Sequence, residues 1–239
     1  MRRNPAIVAG GTLLLIIVLL AVFAPWLGTV DPTAIEAINR GRAPSAEFWF
    51  GTDMLGRDVY SRVLYGAQIS LIVGVSAAVL SAATGTLIGL MFGFLRSFDA
   101  VAMRVMDSLM SVPSILLAIA LMALTRASVG NVIIAISVAD FPRVSRLIRG
   151  VVLSLRDQPF VEAAVASGTR SPMIICKHIL PNTLAPLMVN ATFSCASAMI
   201  TEATLSFIGA GTPPIIPSWG NIMAEARAIW QINPYIVFF

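Results

Sequence analysis

The chain has 239 residues, of which 57% are hydrophobic and 12% charged, with a mean hydropathy of +0.86 and a net charge of +4. A soluble domain carries about a quarter charged residues, so this composition excludes one and points to an all-α integral membrane protein. Two cysteines, Cys176 and Cys195, make no case for a disulfide framework or a metal site and read as small packing residues. The positive charge reflects arginine-rich cytoplasmic loops, and nothing in the sequence points to nucleic acid.

Met1-Arg2-Arg3 precedes an apolar run over 6–27. A basic start and an apolar core also describe a signal peptide. The run is, however, close to the about 20 residues that a bilayer needs, and Pro25-Trp26 closes it with an interfacial aromatic. The expectation is an uncleaved first span with a cytoplasmic N-terminus. Residues 28–65 are polar, with five acids (Asp31, Glu36, Glu47, Asp53, Asp58) against four arginines (Arg40, Arg42, Arg57, Arg62). That balance is compatible with an extracytoplasmic segment. Its turn-rich part, Phe50 to Arg62, suggests a structural network of carboxylates, arginines and glycine turns more than catalysis by Asp53 and Asp58.

A second span is expected over 67–95, free of charge and carrying Gly85, Gly89 and Gly93 on one helix face. Such spacing favours close helix packing, although glycine is common in membrane helices anyway. Residues 96–104 read as a short cytoplasmic turn, and 106–124 as a third span kinked at Pro113. Asp107 near its start suits a solvated or arginine-paired role. The fourth span, 129–148, runs into Pro142 and then Arg143, Arg146 and Arg149, three apart on one stripe. From Asp140 to His178 six basic residues (Arg143, Arg146, Arg149, Arg156, Arg170, Lys177) face three acids (Asp140, Asp157, Glu162). The positive-inside rule therefore places the loop 150–182 in the cytoplasm.

Within that loop Pro159 fits the first turn of a helix capped by Gln158 or Asp157, with Glu162, Ala163 and Ala164 continuing it and Gly168 ending it. Ser171-Pro172 restarts helix as a cap and a first-turn proline, and Pro181 and Pro186 mark entry into the next apolar run. The object is a short helix-turn-helix at the membrane surface, carrying Arg170, Lys177 and His178. Small alanines, one carboxylate and a turn glycine suit docking; an ordinary cytoplasmic loop with an interfacial helix suits the same residues.

The fifth span is expected over 184–208, interrupted by Glu202. Glu202 and Asn190 are the candidates for a translocation pathway, with packing or an interface as the other reading of Glu202. Residues 209–230, with Pro213, Pro214, Pro217 and Trp219, read as a rigid re-entrant or interfacial extracytoplasmic loop. A sixth apolar segment begins at about 232 and is too short to span. The sequence is expected to be a shortened one; a natural five-span protein would leave its C-terminus outside.

Glu162-Ala163-Ala164, Gly168 and then Ile179-Leu180-Pro181 resemble the EAA loop of ABC importer permeases. Phe50-Gly51-Thr52-Asp53 through Gly56-Arg57-Asp58 resembles the GTD-x-x-GRD signature of their dipeptide, oligopeptide and nickel branch. Leu205-Ser206-Phe207-Ile208-Gly209-Ala210-Gly211, then Pro217-Ser218-Trp219-Gly220, resembles that branch again. His178 departs from the general loop pattern but is usual in this branch. The resemblance implies one permease domain over 1–239 with the type I ABC importer fold, six spans in all and the sixth cut short. It also implies a coupling helix that docks on a separate ATPase through Glu162, Ala163, Ala164, Gly168, Arg170, Lys177, Ile179, Leu180 and Pro181. The implied partners are ATPase subunits holding ATP and Mg, a second related permease chain, an extracytoplasmic binding protein and the bilayer of a bacterial or archaeal inner membrane. No cofactor and no catalysis are expected of this chain itself. Peptides are the expected cargo, with nickel chelates and other small solutes as the open alternatives.

Two other classes fit the sequence less well. An ion-gradient-driven secondary transporter needs titratable groups near the midplane, and Glu202, Asp140 and Asp107 are all placed nearer an interface. An intramembrane enzyme lacks its parts, because the one histidine, His178, lies in the cytoplasmic loop. No phosphate-binding glycine loop occurs in the chain, so any ATP hydrolysis belongs to another subunit.

Overall fold

The computed structural model describes residues 5–94, 96–231 and 234–238, and helices carry most of that backbone. In chain order they are α1 (Pro5–Val22), α2 (Val59–Phe94), α3 (Arg96–Met110), α4 (Ser114–Ala123), α5 (Val129–Arg156), α6 (Pro159–Ala166), α7 (Ser171–Ile174), α8 (Leu180–Phe207), α9 (Trp219–Ile229) and α10 (Tyr235–Phe238). Among the described residues, three helical stretches are long and apolar enough to cross a membrane: α1, α2 and the run Ser171–Phe207. The pair α3 and α4 makes a fourth if it is one broken span. α5 is long enough at 28 residues, but Asp140, Arg143, Arg146 and Arg149 interrupt its apolar character.

Several boundaries differ from those read off the sequence. The short turn expected over 96–104 is helical and belongs to α3. The single kinked span over 106–124 is two helices bent by 85°. Pro113 has no N–H with which to continue α3, and it sits extended (φ −53°, ψ 130°) as the cap of α4. α2 starts at Val59, inside the segment expected outside the membrane, because Asp58 Oδ2 accepts hydrogen bonds from Ser61 N (2.9 Å) and Ser61 Oγ (2.5 Å). Its 36 residues span about 54 Å, well beyond a hydrocarbon core of about 30 Å, so it protrudes. α5 continues through Pro142 to Arg156, past the expected end at 148. Glu202 does not interrupt α8, and the loop expected over 209–230 ends in α9. The start of the sixth segment, at 232, lies outside the described residues, and α10 follows it.

By its internal contacts the chain divides into two compact units. The first comprises Met1–Val73, Ala127–Val129 and Met199–Phe239. Its ionic centre is Arg57, which donates to Asp53 Oδ2 at 2.6 Å and to Glu225 Oε2 at 2.6 Å. Arg62, fully buried, adds Glu225 at 3.1 Å. The network expected of the turn-rich segment is thus present, with Glu225 of α9 as an unforeseen member. Gly56 holds the turn with φ +77°, where a Cβ would meet the Glu36 carbonyl oxygen at 1.9 Å. Glycine is therefore required there. A second polar network joins α8 to the following loop. Ser206 Oγ donates to Glu202 Oε1 (2.8 Å) and lies 2.9 Å from Thr212 Oγ1, while Asn221 donates to Thr212 Oγ1 at 3.0 Å.

The second unit comprises Gly74–Arg126 and Gly130–Ala198. Here α2 and α5 lie against each other along Gly85, Gly89 and Gly93. A Cβ on these glycines would meet Val144 Cβ at 2.6 Å, Ser145 O at 2.7 Å and Val152 Cβ at 2.9 Å, respectively. The small-residue stripe is therefore a packing seam. α3 is tied to α5 by two ion pairs, Arg149 to both oxygens of Asp99 at 2.5 Å and Arg146 to Asp107. The arginine-paired role expected for Asp107 is the one observed.

Candidate functional site

The stretch from Arg156 to Leu180 is built by a sequence of helix stops and starts. After α5 ends, Gln158 is extended (φ −85°, ψ 144°) and its carbonyl accepts from Val161 N (2.9 Å) and Glu162 N (3.1 Å). Pro159, which has no N–H to leave unpaired, takes the first position of α6. α6 stops in a Schellman arrangement: Gly168 N donates to Val165 O (2.9 Å) and Thr169 N to Ala164 O (3.1 Å), with Gly168 at φ +73°. A Cβ at Gly168 would meet nothing within 4 Å, so its left-handed backbone, not space, selects glycine.

Arg170, rather than Ser171, caps α7; its carbonyl accepts from Met173 N (2.9 Å) and Ile174 N (3.1 Å). The chain then widens into a π turn over Ile175–Ile179 before α8. Pro181 explains the widening, since it cannot donate to the Lys177 carbonyl and its ring would crowd that group in a regular α-helix. The loop expected over 150–182 is consequently helical for most of its length.

One face of this segment is buried. Val161, Ala164, Ile174 and Ile179 join Leu90 of α2 and Val144, Ile148 and Val152 of α5 in one apolar cluster, with Leu180 packed on its edge. Val161 and Ala164, three apart, share one side of α6. The opposite side is open. Glu162, Ala163, Gly168, Arg170, Lys177 and Pro181 are exposed there. Of the residues read as a docking set, Ala164, Ile179 and Leu180 therefore act as anchors and the other six present themselves outward. Sequence reasoning missed Phe160, Val165 and Met173, apolar side chains left 43%, 56% and 57% exposed on this segment. No periodicity marks them: Phe160 and Ala164, like Val161 and Val165, are four apart, so exposed and buried apolar positions share a phase. His178 is half-buried, its ring 6.3 Å from that of Phe160. Cys176 is exposed, so it is not the packing residue expected of it.

This chain is matched over residues 85–239 by the family described as binding-protein-dependent transport system inner membrane component. Residues 1–44 match the N-terminal TM domain of oligopeptide transport permease C. A probable peptide ABC transporter permease, y4tQ, from Sinorhizobium fredii is 52% identical over 237 residues, covering 99% of this chain and 81% of the relative. The chain belongs to the ABC importer permeases. The dipeptide permease DppC of Alkalihalophilus pseudofirmus is 39% identical over 100% of this permease and 79% of that one. The glutathione permease GsiD of Escherichia coli is 40% identical with the same coverage. A solved structure of the MetNI methionine ABC transporter, inward facing, aligns with a TM-score of 0.59 at 19% identity, over 72% of this permease and 82% of that chain. The type I permease fold and the dipeptide and oligopeptide branch inferred from the motifs are therefore correct. The permease is a multi-pass membrane protein of an ATP-driven importer, and the secondary-transporter alternative is set aside. The EAA motif carried on α6 is typical of this family.

The two pathway candidates of the permease have different surroundings. Glu202 is fully enclosed, with hydroxyls of Ser206 at 2.8 Å and of Ser70 and Thr212 at 3.4 Å around its carboxylate. Asn190 lies in α8 with its Oδ1 buried and, among the described residues, without a hydrogen-bond partner. Four residues along α8 from it, Ser194 Oγ donates to Asp140 Oδ2 of α5 at 2.6 Å.

Proposed function

We propose that this permease imports di- and oligopeptides and takes up ATP-driven motion through the α6–α7 segment. The carrying observation is a two-sided element: one side is packed into α2 and α5, while Phe160, Val165, Met173 and Glu162 stay exposed. A partner groove that covers the apolar trio and faces Glu162 with a basic or amide group meets this surface. Movement of that partner is transmitted through the anchors Val161, Ala164, Ile174 and Ile179 to α5 and directly along the chain to α8. Ligand binding shifts the inward–outward equilibrium only by its differential affinity for the two states, so the segment must be held in both.

The partner in this reading is a separate ATPase subunit that binds ATP and Mg, with none of that chemistry in this chain. A second, related permease completes the path, and an extracytoplasmic binding protein delivers cargo. The membrane is the inner membrane of a bacterium or archaeon, with the N-terminus, the α3 region and the α6–α7 segment on the cytoplasmic side. Peptide cargo is favoured by the peptide, dipeptide and glutathione names of the relatives.

The test is purification of the complex from native membranes in gentle detergent, followed by ATP hydrolysis stimulated by loaded binding protein. Gly168→Asp forces a side chain into left-handed backbone and sets a second acid beside Glu162. Loss of the co-purifying ATPase, or of its stimulation, is expected. Normal stimulated hydrolysis in that variant would sink the coupling assignment.

A further inference from the structure

Three arginines follow one another along α5, and their partners differ. Arg146 and Arg149 are tied to Asp107 and Asp99 of α3. Arg143 has no such tie: among the described residues its only partner is Asp140 of its own helix, at 3.4 Å, and its side chain is 45% exposed. Asp140, 16% exposed, already accepts the Ser194 hydroxyl at 2.6 Å on its other oxygen. The pair also lies level with the uncharged run of α2, where a Cβ on Gly85 would meet Phe141 O and Val144 Cβ. Asp140 lies one turn past Ser137, whose hydroxyl is 3.4 Å from Ala77 O, inside the uncharged run of α2. On α8 the same neighbourhood holds Asn190, one turn from Ser194, with its buried Oδ1 unpartnered among the described residues.

Charged side chains level with such a run persist only where they face protein or water. A guanidinium offers five donors, and one long contact to Asp140 leaves most of that capacity unused. The unpaired amide oxygen of Asn190, one turn along α8 from the Ser194 that binds Asp140, adds an acceptor. The set therefore presents one cation, one anion and one neutral acceptor to whatever occupies this side of α5 and α8. While the site is empty, Asp140 and Arg143 neutralise each other, so no bare charge stands in the span.

We infer that Asp140, Arg143 and Asn190 form a contact point in the translocation path for the free ends of a zwitterionic peptide. Arg143 takes the terminal carboxylate, Asp140 the terminal ammonium, and Asn190 Oδ1 accepts a peptide N–H. The arriving peptide exchanges one internal ion pair for two, which keeps charge balanced throughout. Binding of this kind is reversible, as passage requires, because closing the Asp140–Arg143 pair again releases the cargo. The inference rests on the peptide reading of the cargo and adds the residues that meet it.

The experiment uses the whole importer in proteoliposomes, with radiolabelled trialanine presented on its binding protein. Arg143→Gln and Asp140→Asn are each expected to lower uptake by about tenfold, the loss of one charge-assisted hydrogen bond, while the subunits still co-purify. Arg143→Lys, which keeps the cation, recovers most of the uptake. A photo-crosslinking residue in place of Asn190 captures the labelled peptide during turnover. Unchanged uptake in both charge variants, or no capture at position 190 while uptake proceeds, overturns the inference and leaves the peptide reading intact. If the unaltered complex imports no free-ended peptide, the peptide reading fails and this contact point fails with it.

Discussion

The α2–α5 seam and the ionic centre around Arg57 both hold helices together, and they do so with opposite chemistry. Along the seam the contacts come from missing side chains: Gly85, Gly89 and Gly93 bring backbone and Val144, Ile148 and Val152 within van der Waals reach. Around Arg57 the contacts come from charge, with Asp53 and Glu225 each 2.6 Å from the same guanidinium. The difference follows from the solvent each region must exclude. Lipid tails are as apolar as leucine, so apolar burial gives membrane helices little reason to associate, and close packing must supply it. Where irregular backbone such as 28–58 is gathered, polar groups need partners, and a fixed network provides them.

That contrast can be broken at either region. The largest effect is expected from Arg57→Ala, which leaves buried Asp53 and half-buried Glu225 with only the longer contacts to Arg62, at 3.7 and 3.1 Å. A loss of about 3–5 kcal/mol, seen as a lowered melting temperature in detergent, is expected. Gly89→Leu comes next, because its Cβ alone would sit 2.7 Å from Ser145 O and 2.8 Å from Ile148 Cβ. Overpacking of that kind costs about 1–3 kcal/mol and should lower the yield of folded protein. A Gly89→Leu variant that melts like the parent would show that the seam is not packing-limited. Ser206→Ala is expected to be the mildest, about 1.5 kcal/mol, since Glu202 keeps Thr212 and Ser70 at 3.4 Å. A larger loss from Ser206→Ala than from Gly89→Leu would reverse the ranking and make the hydroxyl network the main constraint.

The α6–α7 segment was readable because local chemistry decides it. Pro159 must start a helix, Gly168 must end one, and Pro172 admits another, whatever lies around them. Which side of α6 is buried was not readable, because its eight residues include apolar side chains on both sides. Only contact with Ile148 and Val152 separates Val161 and Ala164 from Phe160 and Val165. The kink at Pro113 was likewise readable, but not its 85°, which depends on what α3 and α4 each pack against. Residues 96–104 read as a turn and Asp107 as the start of a span, because the contacts that hold α3 are distant in sequence: the arginine partners of Asp99 and Asp107 stand 50 and 39 residues away on α5.

Composition, hydropathy and three motifs were thus enough to determine the membrane class, the family and the place of α6, since each depends on residues close together in the chain. The Ser194 hydrogen bond to Asp140, the enclosure of Glu202 and the outward face of α6 were decided only by tertiary structure. The environment of a charged or half-apolar side chain is set by neighbours distant in sequence, and no local pattern encodes them.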